Sequence, residues 1–265
     1  MGKGFLDPAR CGMVGSVTAT TPDRAQFIDA DLRGARFVRA DLSGAAMRAV
    51  EVQGLDIDAP WLAEGEPLLV NGVDVGPLVE AELDRRFPGR GDRRAATPEG
   101  LRSAWAAVES TWEATLARVR SMPTGTVDAS VDGEWSFAQT LRHLVMAIDT
   151  WLGKAILERA DPYHPLGQPN SEYETDGYDM GVFTTRTPSY DEVLEVRAER
   201  VAMVRDFLAT VTAEELATRR WNPWAPSRPE TTLSCLHVIL HEEWEHHRFA
   251  VRDLDAIDAI DATGS

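Results

Sequence analysis

Four long segments of this 265-residue chain place large apolar residues at the spacing of an α-helix, one face at a time. The first starts at Thr97-Pro98-Glu99, an N-cap residue followed by proline at the first helical position. It carries Leu101, Ala104, Trp105, Val108, Trp112, Leu116 and Val119 on one side. The second opens at Ser136 and gathers Phe137, Leu141, Leu144, Ile148, Trp151 and Leu152. The third begins near Ser189 with Val193, Val196, Val201, Val204 and Leu208, and Thr212 to Leu216 starts a further short helix. The fourth, over 233–254, aligns Leu236, Ile239, Leu240, Trp244, Ala250, Val251 and Leu254. With long connections at 160–188 and 217–230, this pattern predicts a mainly α protein whose core is a four-helix bundle over 97–256, followed by a flexible tail at 257–265. A hydrophobic content of 43% is ample for such a core.

The fourth segment also holds four of the six histidines, in His237-Val-Ile-Leu-His241-Glu-Glu-Trp-Glu-His246-His247-Arg248. On a helical wheel, Glu243 and His247, spaced i and i+4, project within roughly 20° of the centre of the apolar stripe. His241, Glu245, Arg248 and Arg252 fall on the opposite, solvated side, and His246 lies at the stripe's edge. An ionised carboxylate facing a core costs several kcal/mol unless something compensates it. A divalent metal held jointly by Glu243 and His247 would do so, and imidazole nitrogen and carboxylate oxygen suit Zn²⁺, Ni²⁺ or Fe²⁺. A buried Glu–His hydrogen bond, or an ion pair to a core arginine, would also do so. Bundle metal sites draw ligands from facing helices. Of the histidines outside the cluster, His143 sits on the flank of the second helix and His164 lies in a loop, so His143 is the preferred third ligand.

Charge and cysteine usage narrow the classes. A net charge of −16 and a pI near 4.8 disfavour nucleic acid and anionic membranes as partners. The short basic run from Arg85-Arg86 to Arg93-Arg94 reads as a solvated linker. Cys11 and Cys235 are the two cysteines, too few and too differently placed for a disulfide framework, which fits a reducing cytoplasm. No stretch approaches the ~20 apolar residues of a membrane span, and the Met1-Gly2-Lys3 start has neither a signal-peptide apolar region nor a myristoylation pattern. A soluble, cytoplasmic protein is expected. No Ser-His-Asp, Walker or GxGxxG constellation is present.

Ahead of the helices, residues 25–57 follow a five-residue period. Phe27, Leu32, Phe37, Leu42, Met47, Val52 and Ile57 are large and apolar, and Ala25, Ala30, Ala35, Ala40, Ala45, Val50 and Leu55 stand two residues before each. Neither a helix nor a strand explains that period. Ala30-Asp31-Leu32-Arg33-Gly34 and Ala40-Asp41-Leu42-Ser43-Gly44 resemble pentapeptide repeats. That resemblance implies a short right-handed quadrilateral β-helix over 23–60 after a flexible stretch at 1–22, with the large residue and the small one two places earlier both pointing inward. Fewer than two coils can form, so the segment is expected to cap the following domain. Residues 61–96 read as a hairpin and linker helix: Asn71-Gly72 between short apolar runs is the favoured type I′ turn, and a short helix follows over Leu78–Phe87.

Gly133-Glu134-Trp135-Ser136-Phe137, Leu141-Arg142-His143-Leu144-Val145 and Asp149-Thr150-Trp151-Leu152, followed by His241 to Leu254, resemble the DinB-like superfamily, in particular its actinobacterial members. The resemblance covers about residues 97–255. It implies a four-helix bundle holding one divalent metal through a histidine on the second helix and two ligands one turn apart on the last. Carried onto this chain, these are His143, Glu243 and His247, with Glu243 standing where the family usually has histidine. A register shifted by one selects Glu242 and His246 as the second choice. Three protein ligands leave a position open, as catalytic sites do. Several relatives are thiol transferases or isomerases, so the resemblance implies metal-dependent transfer of a low-molecular-weight thiol, of the mycothiol, bacillithiol or glutathione kind, to a small electrophile. Mycothiol is favoured, and Zn²⁺ is the first choice of metal, ahead of Ni²⁺ or Fe²⁺. The partners expected are thus the small-molecule thiol and electrophile, and a homodimer is left open. Two other readings stand beside this one: a non-catalytic metal-binding protein whose repeat segment docks a partner, and a metal-dependent hydrolase with Glu242 or Asp149 as base. Arg142 or Arg248 is a candidate to orient an anionic substrate, and Tyr163–Phe183 to overhang the bundle mouth.

Overall fold

The computed structural model describes residues 26–264, so the expected flexible stretch at 1–22, with Cys11, lies outside the described residues. The chain divides into two compact units, Met1–Ala59 and Pro60–Ser265.

In the first unit the backbone turns a corner every five residues. Asp29, Gly34, Arg39, Gly44, Ala49 and Gly54 all have positive φ, between 51° and 75°. Turn hydrogen bonds recur every second repeat, from the N–H of Ala35, Ala45 and Leu55 to the carbonyls of Leu32, Leu42 and Val52, at 2.9–3.1 Å. The aspartates of the two Ala-Asp-Leu repeats stabilise these corners: Asp31 and Asp41 accept the N–H groups of Arg33 and Ser43. The large residues expected to point inward are exposed, from Leu32 at 45% to Phe27 at 63%. So few turns close no core of their own, because a solenoid coil buries its face only against neighbouring coils.

The second unit opens with β1 (Leu69–Val70) and β2 (Val73–Asp74), an antiparallel hairpin whose turn residues Asn71 and Gly72 both have positive φ, as the type I′ turn requires. Helix α1 (Gly76–Arg86) follows, and then a 3₁₀ turn over Arg90–Arg94. The expectation of a solvated basic linker is corrected here. Arg90 and Arg93 are 2% and 6% exposed. Arg90 bonds Glu80 at 2.8 Å and Asp84 at 2.6 Å and reaches Glu245 at 3.4 Å, while Arg93 pairs with Glu80 and Asp84. The turn depends on Gly89. With φ of 96°, a Cβ there would lie 2.7 Å from the Ala107 Cβ and 3.5 Å from the Trp244 ring. Gly89→Ala should therefore lower stability by roughly 2–4 kcal/mol, measurable by urea unfolding, from left-handed backbone strain plus overpacking.

The helices start where their caps predict. Helix α2 (Pro98–Arg120) is capped by Thr97, and α3 (Phe137–Ile148) by a capping box of Ser136 with Gln139. Another box, of Ser189 with Glu192, starts α4 (Tyr190–Thr210), and Thr212 caps α5 (Ala213–Ala217). Helix α3 runs on as a π-helix over Asp149–Ile156. Helix α6 (Thr232–Gly264) continues past the expected end of the bundle at 256, through the stretch anticipated as a tail. A short hairpin, β3 (Arg219–Trp221) with β4 (Pro229–Thr231), lies in the connection read from sequence as plain loop. Helices α2 and α3 each pack against both α4 and α6, closing a four-helix ring. Most of the set anticipated from periodicity forms the core, including Leu101, Trp105, Trp112, Leu141, Leu144, Val193, Val204, Ile239 and Trp244, all buried, whereas Leu116, Val201 and Val251 are half-buried. Among the described residues no helix is long and apolar enough to cross a membrane.

Candidate metal centre

Helix α6 is covered on more than its apolar stripe, and this decides which of its polar residues meet. The residues before α2 pack over the side that a helical wheel leaves to solvent. Arg90 reaches Glu245, itself 4% exposed, and Trp61 stacks on the His241 ring at 4.4 Å. His237 is held by its ring Nε2 against the Ala95 carbonyl at 2.9 Å. Glu243 and His247 do face the bundle interior, but away from His143. Glu243 is 1% exposed and bonds the guanidinium of Arg197, on α4, at 2.5 Å. Burial pushes its carboxyl above the usual range against the pull of Arg197. His247 Nε2 lies 2.8 Å from the Thr115 hydroxyl on α2, its ring meets Trp112 and Phe87 edge-on, and burial drives it down to about 4. The structure therefore corrects the assignment of Glu243 and His247 as partners of His143. The charge of Glu243 is compensated by a core arginine, one of the alternatives the sequence left open.

The groups that come together are His143, Glu242 and His246, whose ligand atoms all lie within 4.8 Å of one another. They occupy the seam between α3 and α6, two helices in direct contact. His143 Nε2 is 3.6 Å from Glu242 Oε2, and His246 Nδ1 is 3.3 Å from the same oxygen. The imidazole rings are 4.7 Å apart, and the Trp135 ring lies 4.6 Å from His143 and 6.3 Å from His246.

Each histidine is oriented by a backbone carbonyl. His143 Nδ1 bonds the Gln168 carbonyl at 2.9 Å, and His246 Nδ1 bonds the Glu242 carbonyl at 2.9 Å. A carbonyl only accepts, so Nδ1 carries a proton in both rings and Nε2 is the nitrogen left for a ligand. This is how metal-binding histidines are usually set. The Gln168 carbonyl is in turn fixed to α3: Gln168 N–H bonds the Arg142 carbonyl, and the Arg142 guanidinium donates to the carbonyls of Leu166 and Gly167. Arg142 thus anchors a loop, and Arg248 pairs with Glu245. Neither is placed as the sequence suggested for an anion-orienting residue.

A divalent ion fits this donor set. Glu242 is 7% exposed. Burial raises its carboxyl, but the neighbouring His143 and His246 hold it down to about 2, so it is ionised at neutral pH. Burial and the charge of His143 push His246 down to about 4, which leaves that ring neutral. Among the described residues the ion-pair partners of Glu242 are these two imidazoles, whereas Glu243 beside it has a guanidinium. His143 Nε2 faces the Glu242 carboxylate oxygen at 3.6 Å, longer than a hydrogen bond. A cation bound between them would compensate the carboxylate charge.

The other candidates have structural partners. Asp149 is fully buried, with one oxygen on Arg200 at 2.6 Å and the other on the His164 N–H at 2.8 Å. Tyr173 and Phe183 pack on Met146 with Tyr163, Tyr178 and Trp224, a satellite core in place of the anticipated overhang. Sequence reasoning passed over Arg197 and Gln168. Arg197 lies within the helical pattern of α4 as one charge among many, and Gln168 acts through its backbone, which no sequence pattern reports.

No curated protein and no solved structure matches the chain. Pentapeptide repeats, in eight copies, match residues 23–58. The signature of the DinB superfamily matches residues 107–250, the stretch from α2 to α6 that supplies His143, Glu242 and His246. By more than half its length, the chain belongs to the DinB superfamily.

Proposed function

We propose that the bundle holds one divalent metal ion, Zn²⁺ in the first instance, through His143, Glu242 and His246, and that the protein is a thiol-dependent S-transferase. The observation that carries the metal site is the buried Glu242 carboxylate, faced by two imidazoles and by no arginine or lysine among the described ion pairs. Membership of a superfamily that typically binds metal supports it. A divalent ion held there would lower the pKa of a thiol bound to it and so supply a nucleophilic sulfur at neutral pH. The protein contributes orientation: Gln168 and the Glu242 backbone fix the two imidazoles, and Trp135 shields one side from water. In the reaction the sulfur forms a C–S bond to the electrophile, the leaving group departs with its electron pair, and the thiol proton passes to solvent. We read the pentapeptide segment as the start of a right-handed quadrilateral β-helix, supported by its five-residue corners.

Elemental analysis of protein purified without a nickel column tests the site. Near-stoichiometric metal is expected in the wild type and loss of most of it in Glu242→Gln. Zinc-loaded protein should then consume a mycothiol-like thiol with an alkyl halide, releasing halide. Retained metal without halide release would leave a metal-binding protein that is not a transferase. That outcome would favour the non-catalytic reading, for which the exposed apolar side chains of the repeat segment supply a surface.

A further inference from the structure

Arg90, Arg93, Arg197 and Arg200 each bond a carboxylate inside the second unit. Half-buried Arg142 makes no ion pair among the described residues. Its guanidinium donates instead to the carbonyls of Leu166 and Gly167, at 2.8 and 3.5 Å, and its own carbonyl accepts the Gln168 N–H at 3.0 Å. Both polar atoms of the peptide group joining Gly167 to Gln168 are thereby held by this one residue. The next carbonyl along the chain, that of Gln168, is the one that takes the His143 Nδ1 proton at 2.9 Å.

The rest of the connection leaves that carbonyl little freedom. Upstream, the His164 N–H is held by Asp149, and His164 Nδ1 accepts the Leu166 N–H at 3.1 Å. Leu166 packs with Val145 and Val196. Gly167 lies so close to α3 that a Cβ there would come within 3.4 Å of the Met146 Cβ and 3.0 Å of the Phe183 ring. Downstream, Pro169 restricts Gln168 to extended backbone. With the peptide before Gln168 pinned and proline behind it, the direction of its carbonyl is set by Arg142.

Building on the metal reading above, we infer that Arg142 is a positioning residue of the centre: by pinning the Gly167–Gln168 peptide it fixes the carbonyl that aims His143 at Glu242 and His246. An imidazole without that acceptor is free to turn, or to carry its proton on Nε2, the nitrogen left for a ligand. The task suits arginine in particular. A planar guanidinium reaches two neighbouring carbonyls from one fixed fork, whereas an ammonium is a single point charge on a flexible stem.

Two readouts test this: Zn²⁺ affinity by competition with a chromophoric chelator, and the tautomer of His143 by nitrogen NMR on metal-free protein. Arg142→Met is expected to weaken Zn²⁺ binding about ten- to a hundredfold, the usual cost of losing a group that orients a metal-bound histidine. It should also admit the Nε2–H tautomer of His143. Arg142→Lys, serving one carbonyl at a time, should fall between. Gln168→Ala should match the wild type in both readouts, because Gln168 acts through its backbone. Arg102→Met controls for plain structural loss: that guanidinium bonds the Leu208 carbonyl at 3.1 Å, between α2 and α4, and its removal should lower stability to urea without moving either readout. Wild-type affinity and tautomer in Arg142→Met would overturn the role, and so would an equal loss of affinity in Arg102→Met. If Arg142→Met does not fold, Arg142→Lys decides, and wild-type affinity there overturns the role. A wild type that takes up no Zn²⁺ overturns the metal reading itself, and the positioning role falls with it.

Discussion

His246→Ala is expected to lose most of its bound metal, whereas His247→Ala, one residue along, keeps it. The two histidines are adjacent in sequence, His247 buried and His246 half-buried, and they project about 100° apart around α6. His246 faces α3, where His143 and Glu242 complete the donor set. His247 faces α2, where Thr115 and Trp112 occupy its ring. Losing one of three ligands removes a large part of the binding free energy. Losing His247 removes a hydrogen bond and leaves a cavity, which costs roughly 2–4 kcal/mol of stability without touching the site. Elemental analysis and urea unfolding on both variants separate the outcomes. Metal lost from His247→Ala and kept in His246→Ala would restore Glu243 and His247 as the ligands.

Arg197→Met should be the most destabilising single change in the bundle core. It leaves the Glu243 carboxylate, 1% exposed, without its guanidinium. Breaking a buried pair from one side costs about 3–5 kcal/mol, because the remaining charge stays desolvated. Part of this is relieved if Glu243 takes up a proton, toward which burial already pushes it. Replacing both partners, Arg197→Met with Glu243→Leu, should recover most of the loss, since an apolar pair of similar volume carries no desolvation penalty. Metal content should stay at the wild-type level in the single and the double variant. A double variant as unstable as the single one, or one that loses metal, would contradict the role of Glu243 as a structural ion-pair partner.

These two experiments probe the point at which sequence and structure part. The four long helices, their caps at Thr97, Ser136 and Ser189, and the Asn71-Gly72 hairpin were legible because each is specified by residues close in sequence: an apolar stripe, a hydroxyl at the first turn, two residues that tolerate positive φ. The site was legible as a choice between two adjacent registers on one helix plus His143. The helical wheel ranked Glu243 and His247 first because it took the centre of the apolar stripe for the place where a metal would sit. That inference holds for a helix covered on one face. Helix α6 is covered on several: Trp61 and Arg90 lie over His241 and Glu245, on the side the wheel gave to solvent.

The sequence by itself therefore determined the helical class, the starts of the capped helices, the superfamily and the candidate donors. Which donors meet was decided by tertiary structure alone. Arg197 on α4 claims Glu243, Thr115 on α2 claims His247, and the contact of α3 with α6 leaves Glu242 and His246 to His143. A helix sets the angle between its own side chains, but only the neighbours packed around it determine which of those angles points at a ligand and which at a counter-ion.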